Sequence, residues 1–316
     1  MARKKREIPR AKVLSTYELM EKFPDEQAAI DYFAKILWKD GVECPYCESK
    51  RVSPRTVKNY YRCKDCRRDF TIRVGTIFHR SHIPLHKWLY AMYMTEVSRK
   101  GISSLQLSKE IGISQRSAWH LGHRIRDISG GQMELFLSGI VEMDETFIGG
   151  KEKNKHKDKK LNVGGGTKGK IPVFGMRDRK TGKVIMKVVN ATDKETLQGI
   201  IKEKVLFGST VCTDEHGAYE GLDALYTHKV VNHSAKQFVD GMAYTNGIES
   251  VWAVLKRGFY GTYHSFSLKH LPRYLDEFSF RLNDGNCKID MEDRLVAMIR
   301  NVKGKRLTWK MLTKKN

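Results

Sequence analysis

Six cysteines punctuate the chain, and four of them are spaced for metal. Cys44-Pro45-Tyr46-Cys47 and Cys63-Lys64-Asp65-Cys66 are two CxxC knuckles separated by 15 residues. Each such turn presents two sulfurs to one ion about 2.3 Å away, so the pair predicts a tetrahedral four-thiolate site of the zinc-ribbon kind. Four thiolates leave no position open for substrate, which makes this one structural Zn²⁺. A disulfide pair or a redox CxxC accounts less well for a doubled motif in a reducing compartment. RVSPRTVKNYYRC and RRDFTIRVGT around the knuckles read as the short strands a ribbon needs. Arg51, Arg55, Lys58, Arg62, Arg67, Arg68 and Arg73 make the ribbon basic and suit it to holding DNA or a partner. Cys212 and Cys287 have no such spacing and read as ordinary buried thiols.

The second set of chemical residues is acidic. Asp144 stands in the middle of the apolar run GIVEMDETFIGG, and a charge inside an apolar strand is unfavourable unless it is paired or metal-bound. Asp214 ends the strand-like STVCTD, and Glu249 opens the helical TNGIESVWAVLKRGF, with 34 residues between the two acids. Two strand carboxylates and a third on a helix can hold two divalent cations about 4 Å apart, a pair suited to phosphodiester chemistry. Lys256 lies seven positions beyond Glu249, two turns along the same helix face. Taken singly, Asp214 could cap the turn after its strand, Asp144 could pair with an arginine, and Asn246-x-x-Glu249 fits a capping box. Taken together in a basic chain, the set favours a metal site.

The elements that must position these groups emerge from pattern. IPVFGMRDRKTGKVIMKVV reads as a hairpin around Thr181-Gly182, DKETLQGIIKEKVLFG as an amphipathic helix and HKVVNH as a short strand. Strands, crossover helix, strands and helix follow the order of the ribonuclease H-like α/β fold. Upstream, Leu85, Trp88, Leu89 and Met92 form one apolar helical stripe from Pro84, and Ala118, Leu121, Ile125 and Ile128 form another. Between them Gly101, Gly112 and Ser114 supply turns and a cap, giving a helix-turn-helix outline. Gln115, Arg116, Trp119, His120, His123 and Arg124 fall off the second stripe, where side chains could meet bases and phosphates.

Charge locates the rest. The 316 residues carry a net +22, but segments 1–12, 51–73, 151–170 and 295–316 hold 29 basic and 5 acidic residues, against 29 and 31 elsewhere. Four basic patches on a near-neutral body point to a polyanion, with nucleic acid the first expectation. Gly164 to Lys170 nearly spells a phosphate-binding loop, but Ile171 replaces the needed hydroxyl, so 151–170 reads as a basic insertion instead. His216, His233, His264 and His270 share no zinc spacing and read as phosphate contacts or structural residues. No run approaches the roughly 18 apolar residues of a membrane span, and the N-terminus lacks the apolar core of a signal peptide, so a cytoplasmic, nucleoid-associated protein is expected.

With these residues in hand, the chain resembles the DDE transposases of bacterial insertion sequences, in particular the ISXO-like group with an N-terminal zinc ribbon. The resemblance runs through both knuckles, Val141-Glu-Met-Asp144-Glu-Thr, Thr213-Asp214-Glu-His-Gly-Ala-Tyr, Thr245-Asn246-Gly-Ile-Glu249-Ser-Val-Trp252-Ala-Val-Leu-Lys256-Arg257, and a C-terminal signature from Gly261 to Asn283. It implies that Asp144, Asp214 and a group opening the last motif bind Mg²⁺ or Mn²⁺. Glu249 is the stronger candidate for that group, because a carboxylate binds a hard cation better than an amide, and Asn246 is the alternative or auxiliary ligand. The expected organisation is an arm and helix over 1–40, the ribbon over 41–80, the helical region over 81–132, the catalytic domain over 138–285 and a basic tail over 286–316. The expected activity is binding of terminal inverted repeats, metal-dependent hydrolysis at the 3′ end and transfer of the freed 3′-hydroxyl to target DNA, with the chain oligomeric on double-stranded DNA. Arg67, Arg68, Arg116, His120, Arg124, Lys256 and Arg257 are the expected DNA contacts. A zinc-ribbon, helix-turn-helix regulator with a degenerate nuclease domain shares the first half and the patches, and a structure-specific nuclease shares the fold; the intact carboxylates weigh against the regulator.

Overall fold

A computed structural model of the chain describes residues 11–130, 135–150, 167, 169–231 and 244–314. The chain forms two compact units, one from residues 1–98, 104–128 and 284–316 and the other from 99–103 and 129–283. In the first, Ser15 opens helix α1 (Thr16–Lys22) with a reciprocal capping box to Glu18, and Asp25 caps α2 (Glu26–Leu37). Ala29, Phe33 and Leu37 recur down one side of α2 and are buried. The ribbon is a three-stranded antiparallel sheet of β1 (Val52–Pro54), β2 (Tyr61–Cys63) and β3 (Asp69–Phe70). Arg73, counted from sequence with the basic ribbon surface, is built into the fold: it pairs with Glu26 and donates to the carbonyls of Ser81 and Ile83.

Helices α3 (Leu85–Val97), α4 (Ser104–Ile111) and α5 (Gln115–Ser129) come next, with Gly112 at φ +63° in the turn before α5 and Ser114 accepting from the Ser117 amide at 3.2 Å. The expected stripe of Ala118, Leu121, Ile125 and Ile128 is buried. So are His123, Arg124 and Arg126 from other faces of α5, so the later part of this helix is a core element rather than a free recognition helix.

In the second unit the strands are β4 (Ile140–Ile148), β5 (Ile171–Asp178) and β6 (Val184–Val188), then helix α6 (Lys194–Lys204), β7 (Thr210–Thr213), β8 (Thr227–Val230), α7 (Asn246–Gly258) and α8 (Leu271–Leu282). The sheet order is β6-β5-β4-β7-β8; the first three run antiparallel, and β7 and β8 lie parallel to β4. This is the ribonuclease H-like α/β arrangement expected from the element order. Apolar residues cover both faces: Val141 and Met143 pack with Leu197 and Ile201 of α6, while Ile148 and Val173 pack with Ile248, Trp252 and Leu255 of α7 and Phe278 of α8. The expected insertion lies between β4 and β5, and most of it is outside the described residues.

Alternation along β4 sends Glu142 to the α7 face, where it is fully buried. Arg179 Nε lies 2.9 Å from one carboxylate oxygen, and the amide of Ile248 donates to the other at 2.9 Å. Arg179 also donates to the Tyr244 carbonyl just before α7. Gly247 lets this happen, since a Cβ there would fall 2.3 Å from Glu142 Oε2.

The segment from 286 on, expected as a tail, falls within the first unit, which takes in the chain from 284. Leu295, Met298 and Ile299 of α9 (Met291–Arg300) are buried, and α10 (Trp309–Thr313) lies further along. The basic residues alternate with enough apolar ones for the segment to pack. Cys287, read from sequence as buried, is exposed, whereas Cys212 is buried. Glu142→Ala should destabilise the protein by about 3–5 kcal/mol, because it strands a half-buried arginine charge and a helix-terminal amide; urea unfolding followed by circular dichroism measures this, and a loss under about 1 kcal/mol contradicts it.

Candidate active site and zinc centre

Both knuckles turn back on themselves through the residue after the second cysteine: Glu48 and Arg67 sit at φ +60° and +59°. Within the second knuckle a backbone amide points at sulfur, the Cys66 amide lying 3.5 Å from Cys63 Sγ. The Cys66 amide is the largest influence pulling the Cys63 thiol down to about 6, toward the thiolate a metal needs. The sulfurs of Cys44 and Cys66, and of Cys47 and Cys63, are each 3.6 Å apart, and the four form one group within 4.8 Å. A tetrahedron with bonds of about 2.3 Å requires sulfurs separated by about 3.8 Å, so the residues fit zinc. Trp38, Val52 and Tyr61 pack against this centre, and Arg67 and Arg68 beside it are exposed, Arg68 lying over the Tyr46 ring at 5.0 Å.

The acidic site forms where β4 and β7 run side by side. Their pairing ends at Glu142 opposite Cys212, and continuing the register sets Asp214 level with Asp144. Asp144, Glu145 and Asp214 each bring a carboxylate oxygen within 4.8 Å of the others. Asp144 Oδ1 accepts from the Glu145 amide at 2.8 Å, and Oδ2 accepts from the Trp252 indole at 2.9 Å. Glu145, from the opposite face of β4, accepts a hydrogen bond from Tyr219. Burial pushes Asp144 up to about 6, with the charges of Asp214 and Glu249 adding to it and the two hydrogen bonds opposing. Burial likewise pushes Glu145 up to about 7, with Asp214 and Asp144 adding and Tyr219 opposing. An all-carboxylate donor set, buried and close-set, is the chemistry that suits a hard divalent cation.

The residues expected from sequence are distributed unevenly around this site. Asp144 and Asp214 come together. Glu249, exposed in the first turn of α7, is near enough for its charge to act on Asp144 but stands outside the close group; it accepts from Thr245 Oγ1 at 3.0 Å. Asn246 is exposed and is not the helix cap, because Thr245 holds that position and the buried Glu142 takes the Ile248 amide. Lys256 and Arg257 are exposed on the last turn of α7. Sequence reasoning missed Glu145, Tyr219 and Trp252 as site residues. The adjacency of Glu145 to Asp144 was the available signal, but strand alternation argued against the two sharing a site.

The expected DNA contacts on α5 differ more. Arg124 is buried and donates to the carbonyls of Leu307 and Ile77, and His120 Nε2 lies 3.1 Å from the Leu307 carbonyl. Arg116 is exposed, with its guanidinium 4.3 Å from the Trp309 ring centre. Residues 305–313 thus occupy the side of α5 that sequence left free. Among the histidines, His216 Nδ1 accepts from the Ala218 amide; His233 lies outside the described residues.

Because the folded acids hold protons more tightly than free carboxylates near pH 4, the native state binds more protons than the unfolded one between pH 4 and about 7, and stability falls as pH rises through that window. Protein dialysed free of divalent ions should therefore melt lower at pH 8 than at pH 5.5, and Asp144→Asn should flatten that difference. Calorimetry across the range checks it, and parallel curves for the two proteins contradict the assignment.

Residues 136–283 match the ISXO2-like transposase domain, and residues 24–69 match a transposase zinc-ribbon domain. An uncharacterized protein of the transposable element ISH50 from Halobacterium salinarum is 30% identical over 273 residues, which cover 82% of this chain and 91% of that protein. An uncharacterized transposase-like protein of Haemophilus influenzae is 35% identical over 107 residues, 34% of this chain and 85% of that one. A chain of the simian T-cell lymphotropic virus intasome complex aligns over 61% of this chain and 65% of its own, with 14% identity and a TM-score of 0.28, too low to carry a structural argument. The extent of the ISH50 match, the two domains and the strand-borne carboxylates place the chain in the ISXO2-like family of insertion-sequence transposases.

Proposed function

We propose that this transposase binds the terminal inverted repeats of its element and uses Mg²⁺ or Mn²⁺ to hydrolyse the element's 3′ end and join the freed 3′-hydroxyl to target DNA. The observation that carries this reading is the meeting of Asp144 and Asp214 at adjacent strand positions, with Glu249 close enough to act on Asp144. Asp144, Asp214 and Glu249 are the ligands in this reading, and Asn246 is auxiliary to them. Bound divalent ions would activate the attacking oxygen and stabilise the leaving one in each step. The chain's own groups orient the DNA. Lys256 and Arg257, exposed beyond Glu249 on α7, hold the scissile phosphate or its neighbours. Arg67 and Arg68 on the ribbon, with Arg116 at the start of α5, contact the repeat backbone.

No helix among the described residues is long and apolar enough to cross a membrane. Pairing two element ends calls for more than one copy of the chain on the DNA.

Asp144→Ala should reduce divalent-dependent nicking of an end substrate to background while leaving its affinity for the end unchanged; cleavage gels and mobility shifts read the two separately, and residual nicking in Mg²⁺ overturns the catalytic assignment. Purified protein should carry one zinc per chain, and stripping it with a thiol-reactive mercurial should weaken end binding at least about tenfold. Unchanged affinity in the stripped protein removes the ribbon from end recognition.

A further inference from the structure

Trp252 is almost wholly buried in α7, at 4% exposure, yet its one polar atom is not directed at the core: the indole N–H donates to Asp144 Oδ2 at 2.9 Å. The ring reaches the carboxylate through a gap in the neighbouring strand. Gly175 pairs with Asp144 across β4 and β5, and a Cβ on Gly175 would fall 2.3 Å from the indole Cη2 and 2.5 Å from Cζ2. Real Cβ atoms essentially never approach so closely, so any side chain at this position displaces the ring. Asp144 Oδ1 is already held by the Glu145 amide at 2.8 Å. Both oxygens are therefore tied, and each keeps a lone pair for a further partner.

We infer that Trp252 is a positioning residue of the acidic site, holding the Asp144 carboxylate in the one orientation that receives a divalent cation, with Gly175 keeping the space its ring requires. The inference rests on the reading of Asp144 and Asp214 as metal ligands. A carboxylate left to rotate must lose that freedom when it binds an ion, whereas one fixed by the fold has lost it already. An indole suits the task because it donates without charge; a lysine or arginine at the same place would orient the carboxylate but repel the cation. The position on α7 adds a second constraint. Glu249 lies one turn before Trp252 and Lys256 one turn after it, so the bond that orients Asp144 also sets how closely the helix carrying both groups approaches the strand.

The test compares the full chain carrying Trp252→Phe, or 3-benzothienylalanine at position 252, with the unaltered protein. The benzothienyl side chain keeps the bicyclic shape and replaces the N–H with sulfur, so it decides the matter if the phenylalanine variant folds poorly. Mn²⁺ affinity is measured from the free-ion electron paramagnetic resonance signal, alongside thermal melting and the Mn²⁺ concentration that half-saturates end cleavage. The benzothienyl protein should melt like the unaltered one, bind Mn²⁺ about tenfold more weakly and need correspondingly more Mn²⁺ for cleavage, with the saturated rate changed less than the half-saturating concentration. Unchanged Mn²⁺ affinity in that protein overturns the positioning role. Mn²⁺ binding that survives Asp144→Ala in the otherwise unaltered chain overturns the underlying reading of the acidic site, and the inference with it.

Discussion

The catalytic unit depends on one buried ion pair. Glu142 has no exposure to solvent, and its two oxygens are divided between Arg179 and the Ile248 amide in the first turn of α7. Neither group could be buried alone without a large desolvation penalty, so each enforces the other's position. Arg179 extends the lock by donating to the Tyr244 carbonyl and lying 3.6 Å from the Tyr244 ring centre. The consequence is that α7 cannot slide or rotate on the sheet without uncovering a charge. Everything α7 carries, from Glu249 to Arg257, inherits its place from that constraint.

Two periodicities then assemble the acidic site. Alternation on β4 puts Glu142 and Asp144 on the α7 face, where one fixes the helix terminus and the other meets Trp252 one turn further on. The same alternation puts Glu145 on the α6 face, near Tyr219. Asp214 joins them because a parallel strand ends beside β4, which brings its last carboxylate to the same edge. Burial first, and the charges of the neighbouring acids after it, hold the Asp144 and Glu145 carboxyls above the usual carboxylate range. The fold holds the acids together by burial and by hydrogen bonds from Trp252, Tyr219 and backbone amides, and so keeps three carboxylates close enough to share one cation.

The first unit shows how a basic surface divides its labour. Part of the positive charge is consumed in holding the fold: Arg73 joins Glu26 to the segment before α3, and Arg124 secures the chain at Leu307, whereas Arg51 and Arg55 pair with Asp65 and Asp69 at the surface and stay exposed. Arg67 and Arg68 stay exposed next to the thiolate cluster. A charge count made along the chain therefore overstates what faces a partner. It also misplaces the C-terminal segment, whose lysines and arginines accompany the apolar Leu307, Trp309 and Leu312 that pack or stack within the unit.

What the sequence determined by itself is what short-range rules decide. Cysteine spacing announced the four-thiolate cluster, because two CxxC turns impose their geometry locally. Strand and helix periodicity announced β4 to β8, α6 and α7 in ribonuclease H-like order, and an aspartate inside an apolar strand announced Asp144. Tertiary structure alone decided the rest, because it depends on residues far apart in sequence. Glu142 reads as another polar residue of the strand until Arg179 and Ile248 close on it. Gly175 reads as a weak point in a strand until Trp252 fills the space above it. Arg124 and His120 have the composition of DNA contacts, yet Arg124 is buried and His120 half-buried, because a segment nearly two hundred residues later folds over them. Local spacing can nominate a group for chemistry, but whether that group meets solvent, a cation or another part of the chain is set by packing between distant segments.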